Sequence, residues 1–213
     1  MRLTRFLPAL IVVVATITAP LTTEAQPAQK ANSPNQTADL AGVEGYLNGL
    51  TTAQADFTFV GPDGNPTKGI FFLSRPSKLR FEYTEPKGNL LVADGDYVIY
   101  WDAQQKEASN LPIGSTPLDF LLRPKISLTE GVRVTAFEHT AGVIRVTLVR
   151  AKGDGDGAVT VAFSDQPLEL RGWRLVDGQG QTTDVSFSNW KFGMSLDSNL
   201  FKFQEQNSGK RHR

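Results

Sequence analysis

The stretch that decides the fold lies in residues 69–101 and contains three segments: Gly69-Ile-Phe-Phe-Leu-Ser-Arg75-Pro76-Ser77-Lys-Leu-Arg-Phe81-Glu-Tyr83, Leu90-Leu-Val-Ala-Asp94-Gly95 and Tyr97-Val-Ile-Tyr-Trp101. All three segments are rich in the aromatic and aliphatic residues that favour strands. Leu79, Phe81 and Tyr83 alternate with charged residues, as on a strand with one dry face. The Asp94-Gly95 dipeptide is typical of a tight hairpin. The stretch therefore predicts the start of a twisted antiparallel sheet.

The strand pattern continues on both sides of this stretch. Before it, Phe57 and Phe59 share one face of residues 55–60, opposite Asp56 and Thr58. Later strands are predicted at residues 105–109, 132–139, 143–150, 158–164, 168–176 and 182–190, with a short last strand at 199–203. Four arginines alternate with apolar residues and predict one wet and one dry face: Arg145, Arg150, Arg171 and Arg174.

Two helical segments interrupt the strands. In residues 38–50, apolar side chains recur at spacings of three and four, which predicts an amphipathic helix with Asp39 as its cap. The second segment is bounded by Pro112 and Pro124 and predicts a short helix of about two turns, with Thr116 as its cap and Pro117 in its first turn. Without a βαβ rhythm, this order predicts a mainly β fold with a helical cover. The expected sheet is strongly curved and antiparallel, an incomplete, unclosed barrel with an apolar concave face.

The first 25 residues predict export from the cytoplasm. Arg2 and Arg5, the apolar run 6–19 and Thr23-Glu24-Ala25 together predict a signal peptide over residues 1–25, with a retained membrane anchor as the alternative. The polar residues 26–38 predict a flexible leader, and residues 207–213 a disordered tail. One domain is expected over residues 39–206. The chain contains no cysteine, which excludes a disulfide framework and acylation at the cleavage site.

The composition points away from several function classes. Positive and negative residues balance at 22 each, and no dense basic stripe suggests nucleic acid. The two histidines, His139 and His212, lie far apart, so no histidine-rich metal site is expected, and His139 is predicted to be an exposed or hydrogen-bonded strand residue. Residues 153–157 miss the spacing of a calcium loop and predict a hairpin tip. Because no nucleophile elbow, phosphate loop or dinucleotide motif occurs, neither an enzyme nor a cofactor is expected.

The order and spacing of four pieces resemble the LolA family, periplasmic proteins that carry lipoproteins between the two membranes of Gram-negative bacteria. The pieces are a Gly-x-x-x-Leu strand ending in Arg75-Pro76, Leu79-Arg-Phe81-x-Tyr83, the Leu91-Val-x-Asp-Gly95 turn and the strand end Tyr100-Trp101-Asp102. The resemblance extends more loosely over residues 40–203. The order of the last piece departs from the family pattern, and the region after Trp190 is shorter than in some relatives.

The resemblance implies a set of site residues and partners. The acyl chains of the cargo are expected against five side chains: Phe57, Phe59, Leu79, Phe81 and Tyr83. A helical lid is expected to carry Leu118, Phe120, Leu121 and Leu122, with Arg75 as its latch. The implied protein is a periplasmic monomer that takes acylated lipoproteins from an inner-membrane, ATP-driven transporter and passes them to an outer-membrane acceptor. A periplasmic module that senses lipid or lipoprotein on the same fold is the alternative.

Overall fold

The computed structural model describes residues 34–116, 119–152 and 157–204. The predicted signal peptide, the tail, Leu118 and most of the hairpin tip lie outside the described residues. The two α-helices are α1 (Pro34–Gly49) and α2 (Asp119–Leu122). The strands are β1 (Thr52–Val60), β2 (Pro66–Ser74), β3 (Lys78–Glu85), β4 (Leu90–Asp94), β5 (Tyr97–Asp102), β6 (Glu107–Pro112), β7 (Val132–Thr140), β8 (Val143–Arg150), β9 (Ala158–Ser164), β10 (Glu169–Val176) and β11 (Thr182–Phe192).

These strands form one antiparallel sheet in the order β6-β5-β4-β3-β2-β1-β11-β10-β9-β8-β7. The predicted fold class, a mainly β, unclosed and curved antiparallel sheet, is confirmed. The two edge strands, β6 and β7, follow each other in the chain. They are joined by residues 113–131, here called the connecting segment. The first strand, β1, pairs with the last, β11, so the first and last strands meet in the middle of the sheet.

Helix α1 covers the sheet with one apolar stripe. Val43, Leu47 and Leu50 are buried, which confirms the predicted amphipathic helix. The helix begins at Pro34, however, so it takes in residues 34–38 of the predicted leader. Asp39 therefore lies inside the helix, and its predicted role as the cap is wrong.

Gly69 permits a close approach of strands in the centre of the sheet. It pairs with Phe57 on β1 and with Tyr83 on β3. A Cβ atom at this position would lie 2.0 Å from the Glu82 carbonyl oxygen and 2.6 Å from Cε1 of Phe57. Only glycine leaves the space that the Phe57 ring occupies.

The convex face carries a smaller apolar cluster. Trp101 packs there with Leu90 and Val92, and its ring centroid lies 6.0 Å from that of Phe203. The predicted last strand at 199–203 is instead a 3-10 helix, Ser198–Phe201. It is fastened to the sheet by Arg80 of β3, whose Nη1 donates to the carbonyl oxygen of Leu200 at 3.1 Å. In the described part of the chain, no helix is long and apolar enough to cross a membrane.

Candidate functional site

Aromatic rings fill the concave face of the sheet. The ring of Phe57 meets those of Phe81 and Tyr83 edge to face, with centroids 4.9 and 5.1 Å apart. Phe59 lies 6.3 Å from Tyr83 at the outer end of this cluster and is half-buried, whereas Leu79 is fully buried in the same core. The structure thus brings the predicted residues of β1 and β3 to one face.

Sequence reasoning missed further aromatic residues of this face: Phe71, Trp173, Phe187 and Trp190. Phe71 lies 4.7 Å from Phe81 and 4.9 Å from Phe187, measured between centroids. Phe71 and Phe72 are neighbours, so alternation alone does not show which of them faces inward. Trp173 follows a register shift between Leu170 and Gly172, which breaks the period of two that would have revealed it. Phe187 alternates with Ser186 and Ser188, a pattern that could have placed it on this face, whereas the aromatic content of the strands was the signal for the other three.

The concave face encloses little empty space. An apolar cavity of about 80 Å³ is lined by Phe59, Phe81, Tyr83, Leu91, Trp173, Leu175, Thr183 and Val185. A second cavity of about 280 Å³ lies between the connecting segment and strands β7 to β9, with Phe120, Arg123 and Arg150 among its lining residues. Typical ligand sites occupy about 300–1,000 Å³, so the apolar cavity is too small for a long ligand. In the structure, the rings and the cover therefore fill most of this face.

The connecting segment covers one end of the concave face. The predicted continuous helix is instead two short pieces, the 3-10 helix Ile113–Ser115 and α2, with 117–118 outside the described residues. The Thr116 hydroxyl donates to the Ile113 carbonyl oxygen at 2.8 Å, so it closes the 3-10 helix instead of capping α2. As predicted, α2 is apolar on most of its surface, because Phe120, Leu121 and Leu122 are all buried.

Arg75 fastens both helical covers to the sheet. It lies in the turn after β2, and its Nη1 donates to the carbonyl oxygens of Leu47 and, at 3.4 Å, of Leu50. Its Nη2 donates to the carbonyl oxygen of Arg123 at 2.7 Å, just beyond α2. A guanidinium matches these positions because it presents five donors in a rigid fork, and helix ends leave carbonyl groups without intrahelical partners. Partial burial lowers the pKa of Arg75, and its Nε has no partner among the described residues.

The connecting segment is also held by α1. The side chain of Asn48 donates to the carbonyl oxygen of Ile126 at 2.8 Å and accepts from its N–H at 2.9 Å. One turn earlier, the Glu44 carboxylate accepts from the Leu128 N–H at 2.8 Å. Side chains of α1 thus pair with the backbone groups of residues 126 and 128. Helix α1 and the connecting segment therefore form one cover.

Arg150 holds the start of the cover. Its Nη2 donates to the Thr116 carbonyl oxygen at 3.1 Å. The sequence placed Arg150 on the wet face with Arg145, but Arg150 shares the face of Ile144 and Leu148, both of which are buried. That part of the prediction was wrong, because the last residue of a strand can face inward and still reach the edge of the core with a long side chain.

His139 joins α1 to the far half of the sheet. Its Nδ1 lies 2.8 Å from the Asp39 carboxylate and its Nε2 lies 3.1 Å from the Asp165 carboxylate. Hydrogen bonds to Asp39 and then to Asp165 raise the pKa of His139 above its ordinary value of 6.5. The predicted exposed or hydrogen-bonded strand histidine is confirmed, and its two ring nitrogens bridge two carboxylates. In the ranges that the structure describes, no group of three or more acidic, histidine or cysteine side chains is arranged to hold a metal ion.

The structural class of this protein is an unclosed, curved antiparallel sheet with a helical cover. The concave face is aromatic, and hydrogen bonds from side chains to backbone groups hold the cover in place. Its sequence matches the model of the family described as "Outer membrane lipoprotein carrier protein LolA" over residues 48–204. The chain belongs to the LolA family. This family consists of carrier proteins and not of enzymes.

Two relatives of similar sequence agree with that assignment. The chain is 32% identical to an outer-membrane lipoprotein carrier protein from Methylococcus capsulatus over 177 residues, covering 79% of this chain and 84% of that relative. It is 27% identical over 202 residues to the carrier protein from Chromohalobacter salexigens, with 89% of each covered. A crystal structure of a LolA superfamily protein from Nitrosomonas europaea matches 77% of this chain and 97% of its own, at 9% identity and a TM-score of 0.43.

Proposed function

We propose that this protein is a periplasmic carrier that binds the acyl chains of lipoproteins released from the inner membrane and delivers them to the outer membrane. The observation that carries the proposal is the aromatic concave face beneath a cover fastened by Arg75, in a chain of the LolA family. The relatives from Methylococcus and Chromohalobacter bear the name of outer-membrane lipoprotein carriers. The carrier uses no cofactor and changes no covalent bond.

The concave face supplies the driving force for binding. Each CH₂ group of an acyl chain removed from water contributes about 0.8 kcal/mol. Acyl chains therefore cross an aqueous compartment only when a protein shields them. In this proposal Phe57, Phe59, Leu79, Phe81 and Tyr83 form the acyl-binding surface. The cavity of about 80 Å³ admits a chain only after the cover has moved and the rings have separated.

The cover limits how tightly the cargo is held. In the structure, Phe120, Leu121 and Leu122 are buried in the core of the apolar face, and in this proposal acyl chains must displace them. Leu118, which the sequence also assigns to the lid, lies outside the described residues. Arg75 is the latch, because its three hydrogen bonds form only while α1 and the end of α2 lie against the β2–β3 turn. Closing the lid therefore competes with cargo and favours release.

The proposed route has a donor and an acceptor. The donor is an inner-membrane, ATP-driven transporter that releases lipoproteins, and the acceptor is a lipoprotein receptor of the outer membrane. The predicted signal peptide at residues 1–25 supports a periplasmic location, and the absence of cysteine from the sequence leaves no site for a lipid anchor of the bacterial lipoprotein type. A carrier that moves between two membranes as a monomer needs both properties.

The test is to isolate the protein from the periplasm of its host and identify what it holds. Mass spectrometry of the intact, native protein should find it starting at or near Gln26 and bound to acylated polypeptides. A tagged variant with Phe59→Glu should be recovered in equal amount without them. Recovery of the wild-type protein with no acylated species, even after lipoprotein release is saturated by overexpressing one lipoprotein, would contradict the proposal.

A further inference from the structure

One buried polar atom on the concave face has no partner among the residues that the structure describes. Trp173 of β10 is 4% exposed, and its Nε1 makes no hydrogen bond with any residue that the structure describes. Its ring packs against Phe187, with centroids 4.8 Å apart, and lies 6.3 Å from Phe81. Buried tryptophan N–H groups usually find an acceptor, and a buried donor without one destabilises the fold. Trp173 therefore carries a buried donor that no described residue satisfies.

The neighbouring tryptophan shows the ordinary arrangement. Nε1 of Trp190, on β11, donates to the carbonyl oxygen of Leu170 at 2.8 Å. Both tryptophans belong to or pack against the same core, yet only Trp190 finds an acceptor in the described part of the chain. This contrast makes the free donor of Trp173 a local feature of its position in β10.

Trp173 also lines the apolar cavity. The cavity of about 80 Å³ lies between Trp173, Leu175 and the rings of Phe59, Phe81 and Tyr83, which are the proposed acyl-binding side chains. The unpartnered donor therefore belongs to a side chain of the surface that the cargo is proposed to cover. A purely aliphatic ligand offers it no acceptor. An acyl group always does, because the chain is attached through the carbonyl of an ester or an amide.

We propose that the indole N–H of Trp173 donates a hydrogen bond to the acyl carbonyl oxygen of the cargo. The inference rests on the proposed carrier function and deepens it by assigning a subsite for the linkage, in addition to the surface for the chain. The bond exists only in the loaded state, so it favours acylated ligands over other apolar molecules of the same length. A site with an unpaired buried donor selects for a ligand that pairs with it. It also fixes how far a chain enters, since the carbonyl marks the chain's polar end.

The test uses two probes that differ in one group: monododecanoyl glycerol, an ester, and monododecyl glycerol ether, which has no carbonyl. Affinities are measured by calorimetry below the concentration at which the probes aggregate. The wild-type protein should prefer the ester by about 2- to 13-fold, the effect of one neutral hydrogen bond. Trp173→Phe should bind both probes equally. Trp190→Phe, the matched control, should keep the preference.

Two further measurements separate this role from a structural one. Both changes remove buried surface, but only Trp190→Phe also breaks a hydrogen bond, so Trp173→Phe should lower the melting temperature less than Trp190→Phe does. The chain has three tryptophans, so the Trp173 indole resonance is assigned by elimination with Trp101→Phe and Trp190→Phe. In the wild-type protein this resonance should move downfield with the ester and less with the ether.

The outcomes are distinct. Equal binding of both probes by the wild type, with no selective movement of the Trp173 resonance, would overturn the carbonyl subsite and leave the carrier function standing. A preference for the ester that survives in Trp173→Phe would do the same. Failure of the wild type to bind either probe would overturn the carrier function, and the subsite with it.

Discussion

Arg75 Nη2 donates a hydrogen bond of 2.7 Å to the backbone carbonyl oxygen of Arg123, and this bond joins the turn after β2 to the end of α2. Through Nη1 the same guanidinium reaches the last turn of α1. One side chain thus holds two helical elements that are separated by six strands in the chain. The state of the cover depends on a small number of hydrogen bonds, and the loss of one residue should change it.

Replacing Arg75 by Leu should loosen the cover by the net value of those bonds, roughly 1–3 kcal/mol. Hydrogen exchange of the amides in residues 119–128 should then accelerate by about 5- to 150-fold. The variant should still accept acylated cargo but release it poorly to an acceptor, because closure no longer competes with the acyl chains. Arg75→Lys should behave similarly, since an ammonium group cannot reproduce the fork.

The matched control is Arg174→Leu, which removes an exposed arginine paired with Asp184 on the convex face at 2.7 Å. It should leave both exchange and transfer unchanged. If Arg75→Leu transfers cargo normally and residues 119–128 exchange at the wild-type rate, the cover is held by Asn48, Glu44 and Arg150, and Arg75 is not its latch.

Phe59→Glu should weaken acyl binding without unfolding the protein. Phe59 is half-buried at the rim of the apolar cavity, so a carboxylate there reaches water in the free protein but not against a bound chain. A buried, unpaired carboxylate costs several kcal/mol, which corresponds to more than about tenfold in affinity. Thr58→Glu, on the other face of β1, is the control and should bind normally. Equal affinity of the two variants for dodecanoyl glycerol would remove Phe59 from the site.

Gly69→Ala should destabilise the protein by about 1–3 kcal/mol, because the new methyl group meets the Glu82 carbonyl oxygen and the Phe57 ring. Gly45→Ala provides the contrast. Gly45 is exposed on α1 with no atom within 4 Å of a built Cβ, so this change should stabilise the protein by about 0.5–1 kcal/mol. Urea unfolding measures both. A stable Gly69→Ala variant would mean that the strands do not approach as closely as described.

The bridge of His139 to Asp39 and Asp165 should make stability depend on pH. Because the pKa of His139 is raised in the folded protein, the folded state holds its proton more strongly than the unfolded chain does. The resulting stabilisation is fully present below pH 6.5, the ordinary value, and is lost as the pH rises through the higher pKa of the folded state. The melting temperature should therefore exceed that of His139→Gln at pH 5.5, and the difference should shrink by pH 8.5. A difference independent of pH would show that the bridge does not depend on the charge of His139.

The sequence predicted the strands well because each half-buried strand alternates apolar and polar residues, a pattern that is visible without knowledge of the fold. Leu79, Phe81 and Tyr83 alternate cleanly with charged residues, and the Asp94-Gly95 turn marks its hairpin. The errors lie where tertiary contacts decide. The sequence predicts Asp39 as a helix cap, but the helix begins earlier, at Pro34, and Asp39 contacts His139, which is distant in the chain. Residues 199–203 read as a strand, but Arg80 fixes them as a 3-10 turn on the convex face.

The candidate site was less accessible to sequence reasoning. The contacts of Arg75 followed from its place beside a predicted turn and an apolar helix, together with the family resemblance. Trp173 could not be assigned to the concave face, because the register shift after Leu170 inverts the alternation at that point. Asn48 gave no signal at all, since a polar residue on a helix is ordinarily solvated, and only the fold brings Ile126 to it.

The pairing of β1 with β11 has a consequence for how the protein folds. Every other pairing in the sheet joins strands that are consecutive in the chain, so strands β1 to β6 and β7 to β11 are two meanders that can each form from local hairpins. Joining them requires closure of nearly the whole chain, which is slow. Pulse-labelling hydrogen exchange should find the amides between β1 and β11 protected last. Until that step, a nascent chain presents β1 as an open edge, and that edge is where aggregation begins if β11 is delayed.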